Sequence, residues 1–172
     1  MNITMHQNRA HYLCGWTAKD VVAAIRKYRM THVRLLQAGI PKARVFQKYG
    51  APEKVAASIA NGAKNIFFQN TKMVMTQDYV LMPENPETFL MLKDILLAYS
   101  FVSRDQEYLY IKDRWGDAYR YPFSAGQKQV FRIAILLDKI EHSAPECRIG
   151  NTPENNAYAK QKAIPLRNGY IR

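Results

Sequence analysis

The sequence predicts an α+β protein that is mostly helical, with an N-terminal trihelical array followed by two apolar helices and a β-hairpin. Three observations predict this fold class. Gly and Pro divide residues 17–62 into three pieces of helical length, since Gly commonly ends helices and Pro commonly begins them. Residues 86–100 and 125–140 are apolar over most of their length, which is typical of buried helices. Tyrosines alternate with other residues on both sides of Gly116, which is typical of paired strands.

Basic residues are concentrated at one end of the chain. The 172 residues carry 25 Lys and Arg against 14 Asp and Glu, a formal net charge of +11. Residues 1–72 hold 12 of the basic side chains and only 2 of the acidic ones. The sequence therefore predicts a basic helical region over 1–72, an α+β core and oligomerisation region over 73–141, and an extended basic tail over 142–172. Because one sign of charge dominates the first region, we expect an anionic partner there.

The basic region predicts three helices separated by tight turns. A capping-box-like start over 17–20 is followed by apolar residues at spacings of three and four. This stretch ends at Gly39 and forms one helix or, if Thr31 caps a second one, two helices. Pro41 and Pro52 each suit the first turn of a further helix, where the missing N–H costs nothing.

Residues 32–49, with the short segment Ala38-Gly39-Ile40 between two predicted helices, resemble the helix-turn-helix DNA-binding proteins as a class. The resemblance implies that the second helix, 41–49, lies in the major groove, where Arg44, Gln47 and Lys48 would face base edges. A competing frame has its turn at Gly50 and makes 52–61 the reading helix. With the cations expected to contact phosphates, the predicted DNA-binding residues are Lys27, Arg34, Lys42, Arg44, Gln47, Lys48 and Lys54.

The middle of the chain predicts a core and an assembly surface. Residues 73–82 are rich in Val, Met and Tyr and predict a strand. Asn85 and Pro86 predict the start of an apolar helix over 86–100, and an S-x-x-Q capping box predicts another over 125–140. Because both helices lack a wide polar face, we expect a second copy or a partner subunit to bind through them.

The segments 108–111 and 118–121 predict a β-hairpin that holds four tyrosines. These tyrosines allow two interpretations, a platform on which unpaired bases stack or cross-strand packing within the sheet. Packing is the favoured interpretation because nearby carboxylates would repel phosphate. They belong to Asp105, Glu107, Asp113 and Asp117.

Catalytic and metal-binding motifs are scarce. The sequence contains no Gly-rich phosphate loop with its Lys and no nucleophile elbow. His11 with Cys14 and His142 with Cys147 have loose spacings for a zinc site. We therefore predict no enzymatic activity, no cofactor and no metal. Two cysteines without a disulfide framework, and no apolar stretch that could span a bilayer, predict a cytoplasmic protein without membrane contact.

These patterns together predict a DNA-binding protein, sequence-specific or accessory, that regulates transcription as a dimer. Two-fold pairing would place two reading helices on the DNA about one helical turn apart. The apolar content of 48% excludes a fully disordered chain. The alternative function is that of a non-catalytic protein–protein interaction factor, an assembly component or inhibitor, whose basic face binds an acidic partner.

Overall fold

The computed structural model describes residues 13, 15–32, 43–124 and 127–166. These residues form five α-helices and two four-stranded sheets. The chain divides into two compact units, and the boundary between them lies at Phe89 and Leu90. We call them the N-terminal unit, which extends to Phe89, and the C-terminal unit, which spans Leu90–Leu166.

The expectation of a mostly helical fold is wrong. Residues 86–100, predicted as a helix, instead form strand β4 (Asn85–Met91), a 3-10 turn (Leu92–Asp94) and most of strand β5 (Ile95–Ser103). A continuous apolar run suits a strand buried on both faces as well as a buried helix, so its hydrophobicity alone does not separate the two. The proposed helical interface at 86–100 therefore does not exist.

Three helices form the first described part of the N-terminal unit. They are α1 (Ala18–His32), α2 (Arg44–Tyr49) and α3 (Pro52–Gly62). The predicted capping box forms at the start of α1, because the Asp20 carboxylate accepts hydrogen bonds from the Thr17 amide and hydroxyl at 2.7 and 2.6 Å. Val21 and Ile25 are the buried residues of the amphipathic stripe on α1. The predicted turn at 38–40 lies outside the described residues.

The sheet after these helices has the strand order β1-β2-β3-β4. Its first three strands are β1 (Ile66–Gln69), β2 (Val74–Thr76) and β3 (Tyr79–Met82). The single strand predicted over 73–82 is therefore two antiparallel strands joined by a tight turn. The Thr76 hydroxyl makes this turn, since it accepts hydrogen bonds from the amides of Asp78 and Tyr79 at 3.2 and 3.0 Å.

Tyr79 connects helix α3 to this sheet. Its ring is buried against Gly62, where a Cβ atom would overlap the ring, and its hydroxyl donates to the Ile59 carbonyl at 2.6 Å. On its other side the ring contacts Phe89 with a centroid separation of 4.9 Å. Phe89 in turn meets the edge of Tyr49 on α2 at 5.2 Å. One aromatic chain thus links α2, α3, β3 and β4.

The C-terminal unit is built on a sheet of order β7-β6-β5-β8. Strands β6 (Gln106–Asp113) and β7 (Ala118–Phe123) pair antiparallel at the position of the predicted hairpin, but they belong to a four-stranded sheet instead of a separate hairpin. Strand β5 pairs antiparallel with β6, and the two-residue strand β8 (Arg148–Ile149) pairs parallel with β5. Helix α4 (Gln127–Ser143) lies where a helix is predicted, and its buried face includes Ile133, Leu136 and Ile140.

The expectation of an extended C-terminal tail is wrong over residues 153–162, which form helix α5 (Pro153–Lys162). The Thr152 hydroxyl caps this helix by accepting the Asn155 amide hydrogen bond at 3.1 Å. Ala159 is fully buried against Leu96 and Leu97 of β5, so α5 is packed against the sheet. Few apolar residues make this contact, so the sequence of the tail shows no long apolar stripe.

The Gly62–Tyr79 contact generates the first prediction. In a solvent-exposed helix, Gly→Ala usually stabilises a protein by about 1 kcal/mol. Here we expect Gly62→Ala to destabilise the protein by about 1–3 kcal/mol, because the added methyl group has no space beside the Tyr79 ring. Urea unfolding followed by circular dichroism measures the change. Asn61→Ala, at the exposed neighbouring position, is the control and should change stability by less than about 0.5 kcal/mol. A stabilising Gly62→Ala substitution would contradict the assigned packing.

Candidate nucleic-acid interface

Helix α1 presents basic side chains on its outer surface. Lys19, Arg26 and Lys27 are exposed, whereas Val21 and Ile25 on the opposite face are completely buried. Burial of the apolar stripe determines which way the helix faces, and the cations at the other helical positions are consequently directed to solvent. Helix α3 packs against α1 and adds the exposed Lys54.

A groove of about 350 Å³ lies between α1 and the start of α3. Small and apolar side chains from both helices form much of its lining, while one Lys and one Arg supply positive charge. We call it the α1–α3 groove, and its lining residues are Ala18, Lys19, Val22, Ala23, Arg26, Pro52 and Glu53. Positions 19, 22, 23 and 26 share one face of α1 because they follow helical spacing.

The two acidic residues of the basic region are both in the first turn of a helix. Hydrogen bonds from Thr17 hold the pKa of the Asp20 carboxyl below its ordinary value, so this group stays ionised and bound to the cap of α1. Glu53 lies in the first turn of α3 and lines the α1–α3 groove. Carboxylates at these positions are favoured by the positive end of each helix dipole. They therefore stabilise helix starts within a surface that is otherwise basic.

Helix α2, which contains part of the predicted reading helix 41–49, is six residues long in the structure. Val45 and Phe46 are buried. Of the predicted base-contacting residues, Gln47 is exposed, while Arg44 and Lys48 are half-buried. A helix of this length extends about 9 Å, which is short for a helix that reads a major groove.

The structure brings only some of the predicted binding residues together. Lys27 and Lys54 lie on the packed pair α1 and α3, whereas Arg34 and Lys42 lie outside the described residues. Lys19 and Arg26, which line the groove, were not among the predicted residues. The sequence could have predicted these two residues, because their helical spacing places both on the face of α1 opposite Val21 and Ile25.

Two buried carboxylates in the C-terminal unit have structural partners. Asp113 is fully buried and accepts hydrogen bonds from the amides of Trp115 and Asp117 and from the Tyr119 hydroxyl, at 2.9–3.0 Å. Asp94 forms an ion pair of 2.9 Å with Arg114. These contacts connect the β6–β7 turn internally and attach it to the 3-10 turn, so both carboxylates have structural partners.

Metal-ligating side chains do not converge within the described part of the chain, where no cluster of three or more His, Cys, Asp or Glu residues is placed to hold an ion. His11 and Cys14 lie outside that part. His142 is exposed at the end of α4, and its hydrogen bond to the Asp138 carbonyl raises its pKa. Among the same residues, the structure has no helix that is both long and apolar enough to cross a bilayer.

Comparison with protein-family models, curated proteins and solved structures finds no match to this chain. The functional interpretation consequently depends on the geometry and charge of the residues themselves. The arrangement on α1 and α3 is suited to binding an extended anion, since it combines exposed cations with a groove that can hold part of a ligand.

The Cys147 thiol generates the second prediction. Burial, together with the charge of Glu141, raises its pKa to about 12, so the reactive thiolate is scarce at pH 8. We expect iodoacetamide to alkylate Cys147 at least about tenfold more slowly in the folded protein than in urea at the same pH. Mass spectrometry of the peptide containing Cys147 measures this rate separately from that of Cys14. Equal rates in the folded and unfolded protein would contradict the assigned burial.

Proposed function

We propose that this protein binds DNA through the basic surface of α1 and α3, as an accessory or sequence-specific factor without enzymatic activity. The observation that carries the proposal is the exposure of Lys19, Arg26, Lys27 and Lys54 on two helices that pack against each other. Phosphate contacts supply much of the affinity of most DNA-binding proteins, and Lys and Arg are the side chains that make them.

The spacing of these cations suits a phosphate backbone. Lys19 and Arg26 are seven residues apart on α1, a distance of about 10 Å along the helix axis. Successive phosphates of one B-DNA strand are separated by a rise of about 3.4 Å along the axis, so two side chains about 10 Å apart can contact different phosphates. Base reading would then come from Gln47 and Arg44 on α2.

The second candidate function is binding of an acidic protein partner. The apolar lining of the α1–α3 groove, contributed by Val22 and Ala23, favours this alternative because phosphodiester chains gain little from apolar contacts. An acidic amphipathic helix would bind there through its apolar face while its carboxylates meet Lys19 and Arg26. The two candidates differ in their preferred ligand, and direct competition separates them.

The proposal also includes a dimer and a cytoplasmic location for the protein. With 86–100 excluded as a helix, α4 is the remaining predicted pairing element, and its Phe131 and Ile135 are 69% and 43% exposed. A cytoplasmic dimer that pairs through α4 would contain two copies of the basic surface.

Duplex binding across a salt series tests the proposal. We expect the affinity of the full chain for a 20-bp duplex to fall steeply as salt rises, because each neutralised phosphate releases counterions. The double variant Lys19→Gln/Arg26→Gln should flatten the slope of log K against log salt by about 2. Fluorescence anisotropy with a labelled duplex gives both quantities.

The matched control is Lys64→Gln/Lys72→Gln, which removes the same charge from exposed positions of the same unit. This control should leave most of the slope unchanged. No binding at low salt would refute the DNA function, whereas equal effects of the two double variants would refute the α1–α3 site. Displacement of the duplex by an acidic amphipathic peptide, but not by polyglutamate at equal charge concentration, would favour the acidic-partner alternative.

The choice of reading helix has its own test. We expect Arg44→Ala to reduce sequence preference more than Lys54→Ala does, because only Arg44 is placed on the predicted reading helix. Enrichment from a randomised duplex library, followed by sequencing, measures the preference of each variant. Similar losses of preference in both variants would remove α2 as the reading element.

A further inference from the structure

One face of the C-terminal sheet is aromatic and positively charged. Along β6 the side chains alternate, so that Tyr108, Tyr110 and Lys112 are half-exposed while the residues between them are buried. The antiparallel register places Tyr99 opposite Tyr110, and Tyr110 opposite the exposed Arg120. We call this surface the aromatic face, and it consists of Tyr99, Phe101, Tyr108, Tyr110, Lys112 and Arg120.

The carboxylates near these tyrosines in sequence are not on that face. Glu107 and Asp113 occupy the alternate positions of β6 and are 9% and 0% exposed. Asp105 lies in the turn before β6, and Asp117 lies in the turn after it. Within the described residues of β5, β6 and β7, the side chains that share the aromatic face include no acid. The electrostatic objection to phosphate binding therefore does not hold for this surface.

The rings form two parallel rows across the strands. Tyr99 and Tyr110 stack with their centroids 4.6 Å apart, and Phe101 and Tyr108 stack at 5.0 Å. The Arg120 guanidinium lies 5.9 Å from the centre of the Phe101 ring. The rows are two residues apart along each strand, which is about 6.6 Å, or about two base steps of a stacked strand.

We propose that the aromatic face binds single-stranded nucleic acid. The Tyr99–Tyr110 row packs against the buried contact between Leu97 and Ala159 of α5, so bases would extend the Phe101–Tyr108 row, and Arg120 and Lys112 would contact the phosphates. The positive charge of the face favours an anion, and its rings favour a ligand with π-faces. Every unpaired nucleotide provides both, whereas polyglutamate provides only the negative charge. This site lies in the C-terminal unit and is distinct from the α1–α3 surface proposed for duplex DNA.

Cross-strand aromatic pairs also stabilise sheets, and a purely structural role makes different predictions. Under that role, substitutions at Tyr108 and at Arg120, whose guanidinium lies near the Phe101 ring, change stability but leave the binding of single strands unchanged. Under the proposal, both substitutions weaken binding of single strands. Tyr108→Phe keeps the ring and should retain binding in either case, which makes it the conservative control.

The experiment measures binding of the full chain to fluorescein-labelled dT16 by anisotropy, at a salt concentration where wild type binds. We expect Tyr108→Leu to weaken binding about tenfold or more, because a base loses its stacking partner. Arg120→Gln should weaken it severalfold, whereas Arg132→Gln on the exposed surface of α4 should have no effect. If Tyr108→Leu does not fold, Arg120→Gln with Lys112→Gln still tests the site, because both side chains reach solvent.

Unchanged dT16 affinity in Tyr108→Leu and Arg120→Gln would overturn the proposal, as would stronger competition by polyglutamate than by unlabelled dT16. The Lys19→Gln/Arg26→Gln variant separates the two sites. Retained dT16 binding in that variant supports an independent single-strand site, even if duplex binding is absent altogether. Loss of dT16 binding in that variant, with no effect of Arg120→Gln, would assign single-strand binding to the α1–α3 surface and overturn the inference.

Discussion

The position of the helices in the N-terminal unit depends on the contact between Gly62 and the ring of Tyr79. Because position 62 has no Cβ, the ring lies directly against α3 and its hydroxyl reaches the Ile59 carbonyl. The same ring contacts Phe89, which contacts Tyr49 of α2. Since α1 packs on α3, the geometry of the basic groove depends on a buried tyrosine that is not part of it. Close packing of this kind transmits small changes in the core to a surface site.

Local capping motifs predicted the start of some helices correctly and predicted a helix wrongly at another position. The capping box at Thr17 forms as expected, and the hydroxyl–proline pair at Thr152 begins helix α5, which the polar composition of the tail concealed. The similar pair Asn85 and Pro86 begins a strand instead. The two pairs differ in the residues that follow them, because only Asn85 and Pro86 precede a long apolar run. Such a run gains more free energy from burial on both faces of a sheet than from a capped helix start. The residues of the first turn alone do not show whether the segment after them will be buried in a sheet.

The sequence predicted the positive charge of the candidate site and part of its location. Charge counting located the basic surface, and Lys27 and Lys54 do lie on the packed helices. A charge count along the sequence, however, treats all neighbouring charges as if they lay on one surface. In a strand, alternate residues lie on opposite faces. Glu107 and Asp113 are adjacent to the aromatic residues in sequence but are buried on the other face of β6. Register and burial, rather than composition, therefore determine which charges a ligand can meet.

The pairing of β8 with β5 has a consequence for folding order. Strands β5, β6 and β7 succeed one another through short turns, so their contacts close small loops. Strand β8 returns to β5 only after the whole of α4, and it contributes two residues to the ladder. Closing this longer loop costs more chain entropy for fewer hydrogen bonds. We therefore expect the three-stranded meander to form early and to persist, and β8 with α5 to join last and open first.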